Sequence, residues 1–276
     1  MDTLAAHAQR ILTTADGAEK ARLSHTAAAA WAASNGGMAI GEGQPPDRPA
    51  RPTRPELLTP PEMPRRRGHS PEARAQLLHA VLHIELNAID LAWDMVARFT
   101  GEALPRDFYD DWVKVGDEEA KHFGLLATRL ADLGFAYGDF PAHDGLWEAA
   151  LDTKDDLASR LAIVPMVLEA RGLDVTPAMI NRFAGIGDQK SVRLLEIILE
   201  DEIGHVAIGS RWFRYHCHIH QRDQRTTWQA LVQKYFKGLI KPPFNETARA
   251  SAGLPADYYL PLSQHRRQKP TKNGNF

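Results

Sequence analysis

Cysteine is nearly absent from this 276-residue chain. Cys217 stands alone, which excludes an internal disulfide and fits a reducing compartment. No stretch reaches the roughly 18 to 20 apolar residues that span a bilayer, so no membrane helix is expected. The first residues, Met1-Asp2-Thr3-Leu4, place no basic segment ahead of an apolar run and do not read as a secretory signal. The expected location is the cytoplasm. An excess of one charge sign is lacking too. With 33 Lys and Arg against 35 Asp and Glu, the formal net charge is −2. That is neither the basic field of a nucleic-acid binder nor the acidic excess of a disordered chain. Strand-period segments and short repeats are also missing. What remains is 43 % hydrophobic residues, enough for one large domain with extensions. The expected class is all-α.

Residues 2 to about 34 are alanine-rich, with Leu4, Ile11, Leu12 and Leu23 at helical spacing and a break at Asp16-Gly17, which predicts two short helices ending at Gly36-Gly37. Eight prolines then fall between 41 and 69. So dense a run forbids regular helix and predicts an extended arm whose arginines, Arg65-Arg66-Arg67 included, are solvated rather than a phosphate patch. Ser70-Pro71 reads as a helix cap and first position. The apolar stripe that follows runs Leu78, Leu82, Glu85, Ile89, Trp93, Val96, as far as about Arg98. A second helix, about 107 to 133, carries Val115, Glu119, His122, Leu126 and Leu130 on one face and stops at Gly134. The irregular stretch 135 to 153 reads as a crossover along the bundle. A third helix, about 154 to 171, brings Ala162, Met166 and Glu169 inward and is bent at Pro165. Thr176-Pro177 begins a separate short helix ending near Gly185-Gly187. Asp188 caps a fourth, about 189 to 217, with Leu195, Ile198, Glu202, His205, Gly209 and Trp212 inward, and another helix follows at about 224 to 237. Beyond about 261 the basic tail reads as disordered. The expected organisation is an N-terminal helical extension (1–40), a Pro/Arg-rich arm (41–69), a helical bundle (70–240) and a partly disordered C-terminal extension (241–276).

Two of these helices carry Glu-x-x-His, as Glu119-Ala-Lys-His122 and Glu202-Ile-Gly-His205. Residues three apart on a helix share a face, about 4.5 Å apart along the axis, so each pair can bind one metal ion together. The two other helices each carry one glutamate in an apolar stripe, Glu85 and Glu169. One Glu from each of two helices plus a Glu-x-x-His from each of two more is the ligand set of ferritin-like di-iron and di-manganese carboxylate bundles. Four carboxylates in one core repel each other unless cations neutralise them. Oxygen and nitrogen donors without thiolate suit two iron ions, or manganese. The expected division is Glu85, Glu119 and His122 on one ion and Glu169, Glu202 and His205 on the other, with Glu119 and Glu202 bridging. Asp201 and Glu118, each directly before a motif glutamate, are candidates to orient the imidazoles. That arrangement resembles di-iron oxygenases and ribonucleotide reductase small subunits. His83, Asp90 and Asp94 read as structural, Arg160 and Arg171 as partners of buried acids or as surface residues, and His216, His218 and His220 as a solvated helix end. Tyr109 and Tyr137 are redox candidates only if they pack near metal.

Wider stretches extend the resemblance. His79-Ala-Val-Leu-His-Ile-Glu85-Leu-Asn-Ala-Ile-Asp90-Leu, Asp117-Glu-Glu-Ala-Lys-His122-Phe, Tyr137-Gly-Asp-Phe-Pro-Ala-His143-Asp-Gly-Leu-Trp147, Leu168-Glu-Ala-Arg-Gly-Leu-Asp174 and Asp201-Glu-Ile-Gly-His205-Val-Ala-Ile-Gly209 are similar to a bacterial ferritin-like family, domain of unknown function 455. The resemblance covers about residues 45 to 240, leaving the alanine-rich N-terminus and basic tail outside. It implies a ferritin-like four-helix bundle with additional terminal helices and a di-metal site, and it names no substrate.

Three functions are then compatible with the chain. An O2-dependent oxidase or monooxygenase leads, because the arm, crossover and added helices can shape a pocket for an unidentified small molecule served by an electron donor. The arginine cluster keeps an RNA substrate open by analogy with a tRNA-hydroxylating enzyme of ferritin-like fold. A ferroxidase needs a cage, which bulky extensions oppose, and a non-catalytic bundle leaves a complete ligand set unused. The oligomer is open, a homodimer included.

Overall fold

The computed structural model describes residues 2–64, 68 and 70–264. All regular structure among them is helical, and one isolated parallel bridge joins Leu57 to Ala142. No helix among these residues is long and apolar enough to cross a membrane. Two compact units emerge, one comprising Met1–Lys154 with Ile180–Ile198, the other Asp155–Met179 with Leu199–Phe276.

In the first unit, α3 (Pro71–Arg98) is central. Ser70 caps it through the Ala73 N–H at 3.1 Å, with Pro71 at the first position where a missing N–H costs nothing. From Leu78 to Ala97 nearly every residue is buried, polar ones included, so the helix has no solvated face to sacrifice. α4 (Arg106–Asp132) lies against it, and α1 (Leu4–Leu12) and α2 (Gly17–Ala33) pack on α3 and α4. The buried face of α2 is Gly17, Lys20, Ala21, Ser24, Ala27 and Trp31, while Leu23, expected in the stripe, is only half-buried. Small residues let α2 approach α4 closely. Ser24 Oγ donates to the Gly116 carbonyl at 2.6 Å and accepts from Trp93 Nε1 at 2.6 Å.

The arm is extended, with a single 3-10 turn at Pro60–Glu62, but it does not float. Ala50 N–H donates to Leu12, Leu58 N–H to Ala142 and Ala142 N–H to Glu56, and Trp147 Nε1 donates to the Asp47 carbonyl at 2.9 Å. Arg51 is anchored on Asp90 and Arg48 pairs with Asp144 while staying half-exposed; Arg54 is exposed, as expected for the arm. Arg65-Arg66-Arg67 lie outside the described residues. The 135–153 stretch contains a short helix, α5 (Gly145–Asp152), which packs on α3 and carries the fully buried Trp147.

The third predicted helix differs most. α6 (Leu157–Ile163) passes into a π-helical segment, Val164–Glu169, and then into α7 (Ala170–Gly185) without a break. Pro165 widens this helix rather than bending it apart: Ala170 N–H reaches the Pro165 carbonyl five residues back, the spacing of a π turn. No new helix starts at Thr176-Pro177. The missing N–H of Pro177 strands the Leu173 carbonyl, and Asn245 Nδ2 donates to it at 3.2 Å. α8 (Gln189–Ile219) starts at Asp188, whose carboxylate accepts from Ser191 N–H at 3.2 Å. α9 (Gln224–Tyr235), α10 (Glu246–Ser251) and α11 (Ala256–Gln264) follow. Helix thus continues to 264, past the expected onset of disorder, and the basic residues from 265 lie outside the described part.

Candidate metal centre

In the first unit, α3 supplies Glu85 and α4 supplies Glu119 and His122. Their exposures are 2 %, 0 % and 0 %. His122 Nδ1 lies 3.2 Å from Glu85 Oε2 and 3.4 Å from Glu119 Oε2. The reason is periodicity. The two α4 residues are one turn apart on the face that also carries Val115 and Leu126, and Glu85 holds an apolar-stripe position of α3 between Leu82 and Ile89. Gly116, three residues before Glu119, sets the helix spacing, because a Cβ there would lie 2.7 Å from Trp93 Nε1.

Burial and mutual charge shift these groups strongly. Burial, and then the charge of Glu119, push the Glu85 carboxyl well above its ordinary range. Burial opposes a charged imidazole at His122, yet hydrogen bonds to Glu119 and Glu85 carry it up to about 11. Two carboxyls converge on one imidazole at buried positions. A buried Glu and His cluster of this kind could hold a metal ion, and the ligand atoms of Glu85, Glu119 and His122 lie within 4.8 Å of one another.

In the second unit, α8 supplies Glu202 and His205, with His205 Nδ1 3.7 Å from Glu202 Oε2. Glu169 is the last residue of the π segment. Exposures are 9 % for each glutamate and 0 % for His205. One close contact fixes the two elements together. A Cβ at Gly209 would sit 2.4 Å from the Pro165 ring, so only glycine lets α8 approach there. Gly209 is one turn past His205, and Pro165 is four residues before Glu169.

Of the other candidates, Glu118 is half-buried with Lys114 Nζ 3.7 Å from its Oε1, and Asp201 is half-buried. Asp94 is bound by Arg98 on its own helix. Asp90 is buried against Lys20 and Arg51, the latter at 2.9 Å. His83 is buried, with Nδ1 2.8 Å from Tyr137 Oη and Nε2 3.2 Å from the His143 carbonyl, and burial drives its pKa down to about 3. Tyr137 stacks on His79, ring centroids 5.3 Å apart, and Tyr109 is buried on α4. Arg160 is buried, while Arg171 is partly exposed and binds Asp174. The histidine run is not a frayed end, since α8 continues to Ile219 and His216 is buried with its ring 4.3 Å from that of His220. His218 and His220 are exposed. Among the described residues that run gathers no third metal-binding group. Sequence reasoning missed Lys20, Arg51 and the Asp174–Arg249 pair. Lys20 had one signal, a lone cation on the small-residue face of α2.

A family model described as "Protein of unknown function (DUF455)" matches residues 13–260. That span includes α2 and most of the C-terminal helices, which the quoted motifs left out. A Haemophilus influenzae protein named "Uncharacterized protein" is 44 % identical over 214 residues, covering 74 % of this chain and 73 % of the relative. No solved structure matches the chain at a significant level.

Proposed function

We propose a function for this chain as a member of the DUF455 family, to which it belongs: a ferritin-like di-iron or di-manganese carboxylate oxidoreductase that uses O2 to oxidise or hydroxylate a substrate. The observation that carries it is the buried convergence of Glu85 and Glu119 on His122 Nδ1. The donor set fits the group, being carboxylate oxygen and imidazole nitrogen without thiolate.

In this reading Glu85, Glu119 and His122 hold one ion. Glu169, Glu202 and His205 would hold the second. When bound, two ferrous ions supply electrons to O2. The chain's own residues do the rest. The buried carboxylates give up their charge to the cations instead of to protons. Trp93, Ser24 and Gly116 lock α4 in the register that aims Glu119 and His122 at Glu85. Pro165 against Gly209 does the same for Glu169 and the α8 pair. Glu118 and Asp201 are the proposed orienting acids. A reducing, cytoplasmic setting belongs to this reading because the single cysteine, Cys217, forms no internal disulfide.

Metal content of protein purified without added metal, measured beside Glu119→Ala and Glu202→Ala, tests the reading. About two iron or manganese ions per chain are expected, lost in both variants. Wild-type protein that takes up no transition metal after anaerobic Fe(II) loading would overturn it.

A further inference from the structure

We propose that a cavity of about 150 Å³ in the second unit binds a small apolar monocarboxylate. Its apolar walls come from the π segment (Met166, Val167, Leu168) and from the chain after α9 (Phe236, Leu239, Ile240). An apolar cavity of this size takes about six heavy atoms, as a benzene-sized guest does. The charged part of the lining sets the sign of the ligand. Arg171, Lys241 and Arg249 face a single acid, Asp174.

Asp174 is already saturated. Its Oδ1 accepts from Asn245 N–H at 2.9 Å and Arg249 Nε at 2.8 Å, and its Oδ2 from Arg249 Nη2 at 2.7 Å and Arg171 Nη1 at 3.3 Å. A carboxylate offers about four acceptor sites. The buried Arg249 is thereby neutralised, its guanidinium also resting 4.6 Å from the Tyr259 ring. Arg171 is not. Its Nη1 alone is used, on Asp174 and on the Lys241 and Pro243 carbonyls at 2.8 and 3.0 Å. Those two carbonyls fix the guanidinium plane. Among the described residues its Nε and Nη2 have no partner, so one edge of a held fork remains for an anion at a site whose remaining walls are apolar. That edge matches a carboxylate bidentately. An aliphatic or aromatic acid satisfies both features, whereas an alcohol or amine satisfies only one. Leu168 of that wall directly precedes Glu169 in the chain, so on the oxidoreductase reading the acid is also the substrate class the protein would take. Binding itself does not depend on metal.

Titration of chelator-treated full-length protein with pentanoate, followed by ligand-observed NMR, tests the inference, with pentanol and pentylamine as controls. Saturable binding of pentanoate but of neither control is expected. Arg171→Gln is expected to weaken it by about tenfold or more, the loss of a charge-assisted pair, and Arg171→Lys, which keeps the charge without the fork, by less. Leu239→Trp, at a half-exposed lining position, fills the cavity and is expected to abolish binding while the protein still melts cooperatively. This variant decides the matter if Arg171→Gln does not fold. No saturable pentanoate binding, pentanol binding as tight as pentanoate, or unchanged affinity in Arg171→Gln or in Leu239→Trp would overturn the inference. Because the protein is metal-free, none of these outcomes bears on the metal centre.

Discussion

Lys20 sits fully buried on α2, its ammonium against Asp90, with Arg51 reaching the same carboxylate from the arm. Burial drives the lysine pKa down and the Asp90 pKa up, each opposed by the other's charge. Removing one partner of such a pair leaves the other charge in a dry place, at a cost of about 3–5 kcal/mol. Lys20→Met is therefore expected to lower the urea midpoint severely. The double variant Lys20→Met/Asp90→Asn is expected to lose less than the sum of its single changes. Gly116 poses the opposite problem, of space. Gly116→Ala drives a methyl into Trp93 and the hydrogen bond that Trp93 gives Ser24. Overpacking of this kind costs about 1–3 kcal/mol, and because Glu119 is one turn away, bound metal is expected to fall with it. Equal stability and full metal content in Gly116→Ala would refute the positioning role. Neither the Lys20–Asp90 pairing nor the Gly116–Trp93 contact could be read from the chain, although Lys20 itself left a signal on the face of α2. Lys20 and Asp90 are seventy residues apart, and no local pattern announces which buried acid a distant lysine serves.

At the level of elements, α3, α4 and α8 were legible because each keeps a 3.6-residue apolar period over four or more turns, and the candidate ligand glutamates stand out as interruptions of that period. Those interruptions are buried, as expected. The π segment was not legible. A π turn shifts the register by one residue, and around Pro165 that shift is masked by apolar residues on every side. Nor was the passage of α7 through Pro177, because it depends on Asn245, far along the chain, meeting the stranded Leu173 carbonyl. Asn245 also caps α10 through Ala248 N–H at 3.2 Å. Asn245→Ala removes both bonds and is expected to destabilise by about 1–3 kcal/mol, read as a drop in urea midpoint. α8 carries a pH-dependent element as well. His216 is buried, its Nδ1 without a partner, and burial followed by the charge of His220 lowers its pKa from 6.5. Asp156 works in the opposite direction and Arg222 in the same one. A depressed folded pKa means the contribution is fully present above pH 6.5. It is lost as pH falls, because the unfolded chain takes up a proton first. His216→Phe is expected to remove that slope, at most about 1.36 kcal/mol per pH unit, so wild type and variant should converge or cross between pH 7 and 5. Parallel stability curves over that range would show that His216 stays neutral in both states or titrates equally in both.

On the scale of the whole molecule, a net charge of −2 conceals strong local imbalance. In the first unit two buried carboxyls, Glu85 and Glu119, face one imidazole, His122, and burial with the Glu119 charge pushes the Glu85 carboxyl up. In the second, Glu169 and Glu202 are buried and Glu202 Oε2 lies 3.7 Å from His205 Nδ1. On the proposed reading, one divalent ion per set, with neutral imidazole and both carboxylates ionised, would bring each to zero. Metal-free protein therefore has to bury carboxyls that either repel each other or take up a proton, a cost that bound metal would remove. This sets up a reversal of sign. In metal-free protein, Glu119→Gln removes one of two buried like charges and leaves Glu85 paired with His122, so its melting temperature is expected to lie above that of metal-free wild type. With anaerobic Fe(II) or Mn(II) added, wild type is expected to overtake it, since binding to the folded state alone stabilises by about 4.1 kcal/mol at a thousandfold excess over Kd. Glu119→Gln is expected to show no such rise. A purely structural Glu119, engaged only in hydrogen bonds, gives the opposite pattern: the variant melts lower in metal-free protein, and the metal moves neither curve. Two melting series on two proteins separate these cases without any knowledge of the substrate.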